Sequence, residues 1–247
     1  MRSLIVACRY LTALPLPREG VPGNLGRAAG WFPVVGLLLG LALAAAAVLL
    51  DPVLPPLVGA VLLVALWAGL TGGLHLDGLA DTLDGLGGGW SREETLAIMR
   101  DERVGAYGVT GVALVIALKI ATLASLEPGF RWRALLLAPA LGRLGPLVLA
   151  RLCPPARAEG AGHAFALAVS GRSLAAAALV AVAAALGLVG PWGALLVAVV
   201  AADGAAFALY LRRRLGGLTG DCLGALVEGS EAGVLTILCA LAYLGVI

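Results

Sequence analysis

Apolar residues run in long blocks along this chain, and polar residues gather in the short intervals between them. Several blocks approach or exceed ~18 residues, the length that reads as a membrane-crossing helix. We read seven: Trp31–Leu50, Val53–Leu74, Ala106–Leu126, Ala134–Ala150, Ser173–Val189, Trp192–Leu211 and Gly233–Ile247. Asp51-Pro52 closes the first and Gly190-Pro191 turns the chain after the fifth. The seventh is short for a span and is expected to draw on the residues before it. Between the second and third blocks, Arg92–Glu102 reads as a surface helix, with Ser91 as its N-cap and Glu93 and Glu94 in its first turn.

Composition supports the pattern. Of 247 residues, 61 % are hydrophobic and 13 % charged, against nearly half and a quarter in an ordinary soluble domain. One water-soluble core of this size has no room for that excess, so a soluble enzyme, a disordered chain and a nucleic-acid binder are excluded. The expectation is an all-α polytopic membrane protein, one membrane-embedded unit over 1–247. Cys8, Cys153, Cys222 and Cys239 form no pairing or metal-binding pattern. Arg9 interrupts the start before a signal-peptide core can form, so the first span is expected to direct insertion.

Charge sets the expected orientation. With the N-terminus inside, segments 1–30, 75–105, 151–172 and 212–232 hold four, three, three and three arginines, thirteen in all. The outer connections hold only Arg131 and Arg133. That is a strong positive-inside bias. It puts an amphipathic N-terminal segment, 1–30, on the cytoplasmic surface and, with seven spans, the C-terminus outside. Two charges inside spans need partners. Arg143 and Asp203 stand at similar depth and are expected to pair, unless Arg143 reaches a substrate phosphate instead. Lys119 is expected to snorkel outward.

The chemistry-bearing stretch is Thr71–Trp90, TGGLHLDGLADTLDGLGGGW. Asp77, Asp81 and Asp84 stand at i, i+4 and i+7, within about 60° of one helix face, and His75 points away from them. A solvated acidic face, a transporter's cation site and a magnesium site all fit three carboxylates. The interleaved apolar residues and glycines fit the first poorly, and hard oxygen donors suit magnesium beside a phosphate. The segment 215–224 echoes 71–80: both carry GGLxxDxL, which aligns Asp221 with Asp77. Asp221 and Glu228 then share a helix face, and Asp221 is expected to converge on the 77–84 cluster. Arg100, Arg103 and Tyr107 follow as candidate phosphate contacts.

The runs GGLHLDGLADTLDGL, IMRDERVGAYG and LGGLTGDCLGA, with YLTALPLP and AAGWFPVVGLLLG before them, strongly resemble the adenosylcobinamide-GDP ribazoletransferase (cobalamin synthase) family. The likeness covers nearly the whole chain; only 151–200 carries little of the pattern. It implies a magnesium-dependent inner-membrane phosphotransferase of late cobalamin synthesis, with its site facing the cytoplasm. That enzyme joins adenosylcobinamide-GDP to α-ribazole, or its 5'-phosphate, and releases GMP. It implies Asp77, Asp81, Asp84 and Asp221 as catalytic residues and Mg2+ ligands. Arg100, Arg103, Tyr107, Arg143, Thr219 and Glu228 are the expected substrate contacts. The partners implied are the two substrates and the bilayer, with no nucleic acid and with homo-oligomerisation left open. A looser likeness to CDP-alcohol phosphotransferases makes a lipid transferase the alternative, and a secondary transporter, with charges near the bilayer midplane, a further one.

Overall fold

A computed structural model describes residues 2–16 and 24–247. Part of the expected N-terminal surface segment, residues 17–23, lies outside the described residues. The described residues form thirteen helices and a single isolated β-bridge. They are α1 (Arg2–Leu11), α2 (Leu25–Ala29), α3 (Phe32–Leu50), α4 (Pro56–Thr71), α5 (Leu74–Gly88), α6 (Arg92–Ile98) and α7 (Ala106–Ser125). After them come α8 (Pro128–Gly142), α9 (Gly145–Leu152), α10 (Ala161–Ala168), α11 (Gly171–Val189), α12 (Trp192–Arg214) and α13 (Gly220–Tyr243).

The protein is an all-helical, multi-pass membrane protein. α3, α7, α8 with α9, α11, α12 and α13 are each long and apolar enough to cross a bilayer. Their outer faces carry large apolar side chains in the open: Leu49 is 74 % exposed and Leu179 72 %. Such a surface is stable against lipid tails and not against water. Between helices, small residues let backbones approach. A Cβ on Gly36 would lie 2.3 Å from the Pro139 carbonyl oxygen, and one on Gly40 2.4 Å from that of Leu135, so α3 and α8 pack backbone to backbone. At one end of that pair Arg131 Nη1 meets Asp51 Oδ1 at 2.5 Å, tying the end of α3 to the start of α8.

One boundary holds and three expectations change. The second span ends within three residues of its expected end: α4 stops at Thr71, and Gly72 (φ +64°) and Gly73 (φ +71°) turn the chain by 90° into α5. Only glycine takes two successive left-handed residues without strain, so α5 runs across one end of the bundle rather than through it. The last helix starts at Gly220, thirteen residues before the expected Gly233, which places Asp221 and Glu228 on the same helix as the apolar run. Arg143 does not pair with Asp203. It pairs with Glu231 of α13, a carboxylate buried beside it, while Asp203 is exposed on α12. Lys119 does not snorkel: it is buried, with Nζ 2.7 Å from Glu228 and 2.5 Å from Glu231, beneath the Trp67 ring. Two carboxylates on the neighbouring helix offer that ammonium more than a distant interface does.

Candidate active site

Each echoed segment builds the same local device. α4 ends on Gly72 and α12 ends just before Gly216, both left-handed (φ +64° and +72°), and a new helix follows with an aspartate in its first turn. The two new helices, α5 and α13, then cross at glycines. A Cβ on Gly78 would lie 2.8 Å from the Asp221 carbonyl oxygen, and one on Gly224 3.2 Å from that of His75. The crossing brings Asp221 to the helix that carries Asp77 and Asp81, although 140 residues separate Asp81 from Asp221.

Thr219 caps α13 and steers Asp221. Its hydroxyl accepts the Cys222 N–H at 3.3 Å and lies 3.1 Å from Asp221 Oδ2, to which it donates. One arginine joins the acids, and the sequence reading missed it. Arg157 Nη1 stands 3.7 Å from Asp221 Oδ2, and its Nη2 donates to the Leu96 carbonyl at 3.2 Å. Backbone bonds hold the preceding loop in place: Leu218 N–H donates to Pro154 and Ala156 N–H to Leu218, each at 2.8 Å. Arg92 adds bonds to the Leu215 and Ala156 carbonyls, at 2.7 and 2.8 Å. No local motif marks Arg157; only its place in an arginine-bearing connection hinted at this side of the molecule.

The cluster is short of positive charge. Partial burial and the repulsion of Asp77, Asp221 and Asp84 push the Asp81 carboxyl up to about 6, with Arg157 opposing. Asp84 has a second engagement. Its two oxygens accept the Gly105 and Gly108 N–H groups, at 2.7 and 2.8 Å, and so cap the start of α7. Among the described residues, no three His, Cys, Asp or Glu side chains form a ready-made metal cage. Magnesium does not require one: it keeps several waters and takes one or two carboxylates beside substrate phosphates. Asp77, Asp81 and Asp221 fit that mode by their hard oxygen donors.

The other expected residues stand further off. Arg103 is exposed and bound to Asp101 by two contacts of 3.0 and 2.7 Å, which hold the Asp101 carboxyl down at about 2. Arg100 is exposed on the same turn. Tyr107 is 59 % exposed, lines a separate groove with Leu83 and Leu114, and rests on Gly87. Glu228 lies in the core on Lys119. Arg143 is fully buried, yet it lines a cavity of about 250 Å³ that Asp77 and Asp221 also line. His75 is part of that wall as well; it lies on the other face of α5 from the aspartates but not outside the site.

Crossing helices with a carboxylate-rich pocket cut into one end define a multi-pass membrane protein that works on polar ligands at its surface. The chain belongs to the cobalamin-5-phosphate synthase family, whose model matches residues 3–239. It is 44 % identical to the adenosylcobinamide-GDP ribazoletransferase of Syntrophobacter fumaroxidans, over 90 % of this chain and 92 % of that one. The protein of the same name from Ectopseudomonas mendocina is 45 % identical over 94 % and 96 % of the two chains. That from Pseudomonas aeruginosa strain PAO1 is 43 % identical over 96 % and 98 %. No solved structure matches the chain.

Proposed function

We infer that this chain is an adenosylcobinamide-GDP ribazoletransferase of cobalamin biosynthesis. Similarity along almost the full length of named relatives supports the reading. The observation that carries it within the molecule is the convergence of Asp77, Asp81 and Asp221 beside Arg157, at one end of the crossing helices.

A hydroxyl of the ribazole acceptor attacks the phosphorus that bears the cobinamide. A new O–P bond forms, the bond to the GMP phosphate breaks, and GMP leaves with the electron pair. A carboxylate of the cluster takes the hydroxyl proton; a general base of this kind contributes about 10²–10⁴-fold. The Arg157 guanidinium, already beside Asp221, is placed to hold a phosphate oxygen. Asp77, Asp81 and Asp221 would hold Mg2+, which supplies charge neutralisation on the diphosphate when bound. Thr219 keeps Asp221 in place, and Asp84 keeps α5 and α7 in register. Arg100 and Arg103, free of the core on an exposed turn, suit capture of the anionic donor at the rim.

The arginine bias supports a cytoplasmic position for this end of the bundle and the N-terminus, in line with an inner-membrane enzyme. A cytoplasm-facing site also meets a large polar corrinoid without moving it across the bilayer. Purified protein in lipid nanodiscs, given adenosylcobinamide-GDP and α-ribazole with magnesium, is expected to release GMP and form a cobalamin in equal amounts. EDTA is expected to stop both. Absence of GMP and cobalamin under those conditions would overturn the reading.

A further inference from the structure

A second hollow, of about 620 Å³, opens where α2 leads into α3 and α11 begins. It shares no lining residue with the cavity of the acidic cluster. Its lining is amphiphilic. Arg27 and Arg172, both exposed, stand with Ser170 and the 41 % exposed Trp31 around the start of the two spans. Val34 of α3 and Ala176 and Val180 of α11 continue the lining along the helices. Val180 follows Arg172 by eight residues, which is ~12 Å along the helix at ~1.5 Å per residue. Small residues open the space between the elements: a Cβ on Gly30 would only just touch that of Ala176, at 3.5 Å.

Charge and place decide what such a hollow takes. None of the described residues that line it is acidic. Neither the Arg27 nor the Arg172 guanidinium has a hydrogen-bond or ion-pair partner among the described residues. Two unpaired cations beside each other repel unless an anion joins them, and a phosphate accepts from both. Trp31 marks the level at which amphipathic rings meet lipid head groups. The apolar limb leads onto faces already open to lipid, at Leu38 and Leu41 of α3 and Leu179 of α11. A free phosphate or a nucleotide would use the arginines and leave that limb empty. A phospholipid uses both. A choline head group would bring a further cation to a site that holds two and no carboxylate, so the fitting lipid is anionic.

We propose that this groove binds one anionic phospholipid of the leaflet that the arginine-bearing loops face, its phosphate between Arg27 and Arg172 and an acyl chain along Val34, Ala176 and Val180. Basic pockets between spans on that side are suited to such head groups. The site has a consequence for the cavity of the acidic cluster. A Cβ on Gly26 would lie 2.3 Å from the Ala168 carbonyl oxygen, so α2 rests on the backbone of α10, and α10 supplies Phe165 to the cavity wall. A lipid clamped across α2 and α11 braces that wall from outside.

The test measures binding without turnover, so its outcome is independent of the transferase reading. Protein stripped of lipid in an uncharged detergent is titrated with phosphatidylglycerol, with phosphatidylcholine of the same chains, and with glycerophosphoglycerol, the head group without chains. Phosphatidylglycerol is expected to raise the Tm saturably, by several degrees, because it binds the folded state alone; the other two should leave it in place. Native mass spectrometry, as a second readout, should show one retained phosphatidylglycerol. Arg27→Gln and Arg172→Gln should each move the titration midpoint about tenfold or more upward. Ala176→Phe fills the groove with the charges intact and should abolish the response. Arg213→Gln removes the same charge from the exposed end of α12 and should titrate like the wild type. The proposal falls if phosphatidylcholine matches phosphatidylglycerol. It falls if the head group alone matches it, since the groove would then be a site for free phosphates. It also falls if Arg213→Gln shifts the midpoint as far as Arg172→Gln, since the attraction would then belong to the whole charged surface.

Discussion

Asp81 and Asp84 lie three residues apart on one helix face, yet their surroundings give them different work. Asp81 is half-open and crowded by other carboxylates; Asp84 is buried, with both oxygens on backbone N–H groups of α7. Asp77→Asn, Asp81→Asn and Asp221→Asn are each expected to lower transfer by at least about 100-fold with unchanged thermal unfolding, since each removes charge from a hard-metal and proton-accepting site. Asp84→Asn should behave differently. Its amide has one acceptor for two N–H donors, of which Gly108 is buried; the lost bond costs about 1–3 kcal/mol and should lower the melting temperature by several degrees. Wild-type melting together with lost transfer in Asp84→Asn would move Asp84 into the reacting set. The i, i+4, i+7 spacing made the shared face legible in the sequence. It carried nothing about the two glycines at the start of α7 that claim Asp84, or about Arg157, because those contacts join residues 21 to 64 positions apart.

At the scale of elements, hydropathy located the crossing segments well and their ends less well. The apolar run Val53–Leu74 gives the span but not the angle that follows it; the left-handed pair Gly72-Gly73 at its end creates the 90° turn into α5. The last span is expected to draw on residues before Gly233, but its extent, back to Gly220, was hidden for the converse reason. Asp221, Glu228 and Glu231 interrupt the apolar run without interrupting the helix, because Thr219 caps it and Lys119 and Arg143 neutralise the buried acids. The GGLxxDxL echo did carry structure: it marks two helix starts that cross at Gly78 and Gly224. Gly78→Val should therefore push α5 off α13 and reduce transfer more than tenfold, since even a Cβ would stand 2.8 Å from a backbone oxygen. Gly229→Ala is the control. It lies mid-helix in α13 with open space around it, and should leave transfer unchanged while raising stability by about 0.5–1 kcal/mol. Equal transfer in the Gly78 and Gly229 variants would show that the crossing does not position the site.

Over the whole molecule, charge is partitioned twice. With the α4–α5 pair as a seventh crossing, the arginine bias predicts that a C-terminal fluorescent fusion stays dark and a C-terminal alkaline phosphatase fusion is active, with the reverse for N-terminal fusions; a bright C-terminal fusion would mean an even number of crossings, with the arginine-bearing loops still inside. The second partition lies inside the bundle and was not legible beforehand, because sequence separation hid which charges meet. Lys119 of α7, Arg143 at the end of α8, and Glu228 and Glu231 of α13 form a cluster of two positive and two negative groups, with Trp67 of α4 over the ammonium. Each charge tolerates burial only because the others are present. Lys119→Met should leave two carboxylates facing one guanidinium and destabilise the protein by about 3–5 kcal/mol, the usual consequence of removing one partner of a buried pair. Glu228→Gln added to Lys119→Met restores neutrality and should recover most of that loss, giving a strong positive coupling in a double-mutant cycle. Thermal unfolding in detergent reads both quantities. Additive losses in the double variant would mean that the four helices are held by packing alone, with the charges contributing separately.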